Sequence, residues 1–109
     1  MDFNKINKYH VSMLPYFLDK LKNTQDGEGS LLDQTVIMYG SPMGDPNLHN
    51  HRRCPLFFVG KGNGMLQGGL HLKAPDGTPM ANAMLALMHK YGLDNESFGD
   101  STGELALQG

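Results

Sequence analysis

The sequence is poor in cysteine, in charge and in long apolar runs, and it contains no tryptophan. Its single cysteine, Cys54, excludes an internal disulfide framework. Nine Lys and Arg stand against 11 Asp and Glu, a net charge of −2 at pH 7. No cationic surplus is therefore present to neutralise a phosphate backbone or an anionic lipid surface, and neither nucleic acid nor membrane is an expected partner. No apolar run approaches the roughly 18 residues that a membrane-spanning helix needs. The N-terminus lacks the order of basic, apolar and small residues that marks a signal peptide, so no compartment is assigned. Charged residues make up 18% of the chain, below the roughly 25% usual for soluble domains.

What the sequence has in excess is loop chemistry. Fourteen Gly and six Pro in 109 residues imply many places where the backbone turns sharply or approaches something closely. The length suits one domain and not two. Apolar residues at Ile6, Met13, Phe17 and Leu21, flanked by Leu14 and Leu18, predict an amphipathic helix over residues 3–22, with a kink or restart expected at Pro15. Residues 23–30, NTQDGEGS, read as a loop. Two short apolar runs, residues 35–39 and 56–59, read as strands covered on both faces of a mostly parallel sheet. Residues 70–73 are expected to form a short edge strand. Thr78 and Pro79 open a helix over residues 79–91 as N-cap and first helical residue, and Gly92 fits a left-handed stop. The tail, residues 94–109, reads as a loop packed over the surface.

Residues 40–55 join the two predicted strands and hold two histidines, an aspartate and three prolines. That is long for a passive link, and loops leaving the carboxyl end of a strand are where open α/β sheets bind ligands. Asp45, His49 and His51 lie within seven positions and are suitable ligands for a divalent ion such as Zn. Arg52 and Arg53 add positive charge suited to an anionic group. The plainer alternative is a solvated loop in which Asp45 caps a turn and the histidines bond to backbone. Residues 60–69, GKGNGMLQGG, fail the tests for a phosphate cradle, because Lys61 is followed by Gly62 and the third glycine of the dinucleotide fingerprint is missing. Cys54 before Pro55 reads as packing, and Ser41 lacks the spacing of a nucleophile elbow. His10 and His89 fall on helices as structural or exposed residues, while His71 is an outside candidate for a supporting role.

In order, LLDQTVIMYGSPMGD at residues 31–45, HNH at 49–51, PLFFVG at 55–60, GLH at 69–71 and ESFGDSTG at 96–103 resemble the C-terminal part of the bacterial domain of unknown function 1552 family. That family is similar to the sulfatase and alkaline phosphatase superfamily. The resemblance implies an α/β fold: part of a doubly wound sheet with two main helices, the C-terminal segment of a larger alkaline-phosphatase-like domain. It implies that Asp45, His49 and His51 hold a divalent metal (Zn, Mn or Ca) and that Arg52 and Ser41 contact substrate. It also implies a parent acting on an anionic phosphate or sulfate ester, small-molecule or glycan. Attack would come from an upstream hydroxyl while the metal polarises the ester oxygens. The missing N-terminal part of the parent would then be a partner of this segment, which would be inactive alone, and parents of this kind are candidates for export.

A second expectation, from a different class, is a non-catalytic module that binds carbohydrate or protein through the His-rich loop on a degenerate scaffold of the same kind. The compact aspartate-histidine pair typical of sulfatases and phosphatases is absent here, three residues separating Asp45 from His49, and this favours the module. The two readings differ in geometry: a metal site requires Asp45, His49 and His51 to converge, and a binding loop leaves them splayed.

Overall fold

The structure, a computed structural model, describes residues 2–107. These residues form three helices and two two-stranded antiparallel sheets, a small mixed α/β arrangement.

Helix α1 (Phe3–Lys22) starts at Asp2, whose carboxylate accepts the Asn4 N–H at 3.0 Å, and ends with Lys20 and Lys22 in the last turn, where cations complement the helix dipole. It is one continuous helix through Pro15. The expected restart is not seen, although the Val11 carbonyl forfeits its usual helical donor there. Ile6, Leu14, Leu18 and Leu21 are half-buried, whereas Phe3, Tyr9, Met13, Tyr16 and Phe17 remain exposed. No residue of this 20-residue helix is fully buried.

The segment expected as a loop contains a miniature hairpin, β1 (Gln25–Asp26) and β2 (Gly29–Ser30), turning at Gly27 with φ 63°. A single-turn helix, α2 (Leu31–Gln34), follows and packs against α1. Its start is a capping box: the Asp33 N–H donates to Ser30 Oγ at 3.3 Å, and the Ser30 N–H donates to Asp33 Oδ2 at 3.0 Å. The other oxygen of Asp33 pairs with Lys61 Nζ at 3.2 Å, tying the turn to the glycine-rich segment.

Strands β3 (Ile37–Gly40) and β4 (Leu56–Val59) pair antiparallel, Ile37 opposite Val59 and Gly40 opposite Leu56. This corrects the expected parallel sheet, and no doubly wound sheet is present among the described residues. Parallel neighbours require a crossover connection, usually a helix. Residues 41–55 hold none, so the chain can only return as a wide hairpin. Burial on both faces is also corrected: each face leaves a large side chain in the open, Met38 on one at 45% exposed and Phe57 on the other at 41%. Met38 and Leu56 share a cleft of ≈270 Å³ with Met80 and Met84 at the start of the last helix. On the opposite face the Tyr39 and Phe57 rings lie 5.3 Å apart. Residues 70–73 form no strand.

Helix α3 (Ala81–Lys90) begins later than expected, with Met80 as its N-cap and no side-chain cap: Thr78 Oγ1 donates backward to the Pro75 carbonyl at 2.7 Å, and the first helical N–H groups go to the Pro79 and Met80 carbonyls. Gly92, at φ 82°, ends it as expected, and the Leu93 N–H returns to the Met88 carbonyl at 3.1 Å. Among the described residues, the buried apolar side chains are Ala81, Ala83, Leu85 and Ala86, all on α3. The tail covers them, bonded to the buried Asn82: its Nδ2 donates to Thr102 Oγ1 at 3.1 Å, its Oδ1 accepts the Thr102 N–H at 2.9 Å, and its carbonyl accepts the Leu105 N–H at 3.1 Å.

The accessible surface is 8297 Å², against about 6,000 Å² for a folded monomer of this mass. The radius of gyration is 15.6 Å, against about 13 Å for a compact chain of this length. The uncovered aromatic face of α1 and the partly open hairpin contribute to that excess.

Leu85→Ala is expected to cost about 3 kcal/mol, whereas Met13→Ala on the open face of α1 should cost less than about 0.5 kcal/mol; thermal melts of the two variants followed by circular dichroism measure the contrast. The Ser30 N–H, followed by Lys61 and the Ser30 hydroxyl, holds the Asp33 carboxyl below the usual carboxylate range. Its contribution to stability is therefore present above the ordinary aspartate pKa and is lost as pH falls through the lowered value. Acid titration of Asp33→Asn should lack that part of the wild-type stability loss.

Candidate functional site

The candidate site is the loop of residues 41–53, which leaves the carboxyl end of β3. Its exit is fixed by a close approach: a Cβ at Gly40 would sit 2.6 Å from the Pro55 carbonyl oxygen, and that oxygen accepts the Ser41 N–H at 3.1 Å. Ser41 Oγ accepts the Met43 N–H at 3.1 Å, so this hydroxyl shapes the backbone locally. At Gly44 any side chain would collide with the Arg52 carbonyl.

Asp45 and Asn50 form an isolated antiparallel bridge, with the Asn50 N–H on the Asp45 carbonyl at 2.9 Å. The bridge closes a small turn whose lining is the aspartate itself: Asp45 Oδ1 accepts the N–H groups of Asn47 at 2.9 Å and Leu48 at 3.2 Å. One side-chain oxygen therefore satisfies two loop donors, as aspartate commonly does in turns. His49 follows in a left-handed conformation, φ 52°, and is exposed. Asn50 Oδ1 accepts the Arg52 N–H at 2.8 Å, which sets up the second left-handed residue, Arg53, at φ 54°.

His51 Nδ1 lies 2.8 Å from the Pro42 carbonyl oxygen. A carbonyl can only accept, so Nδ1 carries the proton and the neutral ring leaves Nε2 as a free lone pair. Cys54 Sγ donates toward the same carbonyl at 3.0 Å and toward the His51 carbonyl at 3.2 Å. The thiol thus stays in the packing role expected of it, half-buried beneath the loop. Arg52 is exposed and forms no ion pair among the described residues.

The structure thus brings all five residues singled out for the site, Ser41, Asp45, His49, His51 and Arg52, into one loop, each in a different setting. Asp45 is turned onto the loop backbone, His49 is exposed at the end of the turn that the Asp45–Asn50 bridge closes, and His51 is braced on Pro42. Among the described residues no group of three His, Cys, Asp or Glu side chains is arranged to hold a metal ion. By donor chemistry, His51 offers one well-oriented imidazole and Asp45 one uncommitted oxygen, short of a complete coordination shell. His71 is exposed in irregular chain, and no described helix is long and apolar enough to cross a membrane. Sequence reasoning missed the supporting pair, Asn50 and the Pro42 carbonyl. An asparagine between two histidines gave a readable signal, since Asn side chains favour bonds to nearby backbone.

Long-range ¹H–¹⁵N spectra should show that the neutral form of His51 carries its proton at Nδ1, and a dominant Nε2–H tautomer would contradict the Pro42 contact. Comparison of the chain with protein-family models, curated proteins and solved structures returns no match.

Proposed function

We propose that this chain is the C-terminal segment of an alkaline-phosphatase-like, metal-dependent hydrolase of the phosphate or sulfate ester class, and that it is catalytically silent by itself. The observation that carries the reading is His51: one ring nitrogen is fixed on a backbone carbonyl and the other has no partner among the described residues on an exposed ring, the arrangement by which proteins orient histidines toward metals. Asp45 and His49 sit on either side of the same turn and Arg52 follows directly, offering positive charge for an anionic substrate. The remaining ligands and the nucleophile would come from residues outside this chain, and the uncovered faces of α1 and the hairpin are the surfaces against which such a part would pack. A divalent ion bound there would act as a Lewis acid on the ester oxygens. This chain's own contribution is an oriented imidazole, a nearby carboxylate and a guanidinium.

A second reading, a non-catalytic module binding carbohydrate or protein, is favoured by the engagement of Asp45 with the Asn47 and Leu48 N–H groups, which gives the loop a shape without any ion, and by the failure of Asp45, His49 and His51 to converge as a three-ligand group.

Titration of Zn or Mn into the chain and into its His49→Ala and His51→Ala variants tests the choice. Weak binding lowered about tenfold or more by His51→Ala supports the metal role, and equal binding by all three proteins removes it in favour of the module. The isolated chain should show no phosphate- or sulfate-ester turnover; turnover that is lost in Ser41→Ala would overturn the division of the site between this segment and an outside part.

A further inference from the structure

We propose that residues 95–105 form a pH-operated strap over α3, held shut by the imidazolium of His89 and loosened when that ring gives up a proton. The proposal is independent of the metal and ester reading.

His89 occupies the last turn of α3. Its Nε2 lies 2.7 Å from the Asn95 carbonyl oxygen and its Nδ1 lies 3.2 Å from Glu104 Oε2. Both partners are acceptors. A neutral imidazole carries a single N–H, so it can satisfy one of them while its other lone pair faces oxygen; only the charged ring donates to both. The carboxylates facing the ring are Glu104 and, more distantly, Asp94, and the carboxyl end of a helix also favours a cation. Lys90, next along α3, is of like charge. The Asn95 carbonyl first and Glu104 second raise the proton affinity of His89 above that of an ordinary histidine, against the opposing effect of burial.

The strap has two anchors, and only one of them titrates. Asn82 holds Thr102 and Leu105 by three bonds between groups that do not themselves titrate, so any pH dependence of these bonds must come from the other anchor. His89 holds Asn95 at the beginning and Glu104 near the end. Beyond it, Asn95 meets α3 through a long Nδ2 contact to Met88 Sδ at 3.9 Å, and among the described residues its Oδ1 is buried with no hydrogen-bond partner, a cost that favours opening. A histidine whose pKa rises on folding contributes fully below its unfolded value of ~6.5 and loses that contribution as pH climbs through the raised value. The strap is therefore closed in mild acid and loosens on the alkaline side.

Nuclear magnetic resonance of the full chain between pH 5.5 and 8.5 tests this by following the His89 ring protons and the exchange of the Thr102 and Leu105 amides, corrected for intrinsic exchange. The expected result is a His89 midpoint above ~6.5 and a severalfold fall in amide protection at that same midpoint. In His89→Gln, protection should be low at all pH values. In Glu104→Gln, which retains the Asn95 contact, the His89 midpoint and the opening should move together to lower pH. Protection independent of pH in the wild type, or pH dependence that survives His89→Gln, would overturn the strap. Should His89→Gln fail to fold, an opening midpoint unmoved in Glu104→Gln does the same.

Discussion

One asparagine organises what core this protein has. Asn82 stands on α3 among three alanines and a leucine that are also buried, and it meets the tail with both ends of its side-chain amide and with its own carbonyl. A polar group in that position is tolerable because both the nitrogen and the oxygen of its amide are bonded, and a buried amide left unpaired would cost more than the bonds contribute. The pairing holds a segment with no regular structure over the helix. Small alanine side chains let that segment approach closely: a Cβ at Gly99 would already touch the Ala81 methyl at 3.7 Å.

The elements with a strong local signal were legible in the sequence. The amphipathic spacing of residues 3–22, the strand at residues 56–59 and the stop at Gly92 all appear where local chemistry places them. What failed was the reading of partners. Apolar residues on both sides of Ile37–Gly40 indicate that both faces want cover, and the run alone does not say whether the neighbour is parallel or antiparallel. The deciding fact was the absence of any helix in residues 41–55, a topological argument that the residues themselves already permitted. Ser30 and Asp33 carried a capping signal that was passed over because the glycines around it speak more loudly for a loop.

For the loop the legible part was its composition, and the hidden part was its internal bookkeeping of donors and acceptors. Spacing put Asp45, His49 and His51 close together in sequence, and they are close in the chain's path. Their orientations depend on left-handed backbone at His49 and Arg53 and on a glycine at 44 that admits no side chain, none of which spacing encodes. The same loop therefore matches the plainer expectation, with an aspartate capping a turn and one of the two histidines, His51, bonded to backbone.

The hairpin has a consequence for how the molecule must live. Neither β3 nor β4 contains a lysine, a proline or a bulge, the devices by which natural sheets keep strangers from their edges. Strands without such protection are normally interior strands of a wider sheet. Among the described residues no third strand lies on either margin of this sheet, so each margin offers backbone donors and acceptors to which a further strand could pair.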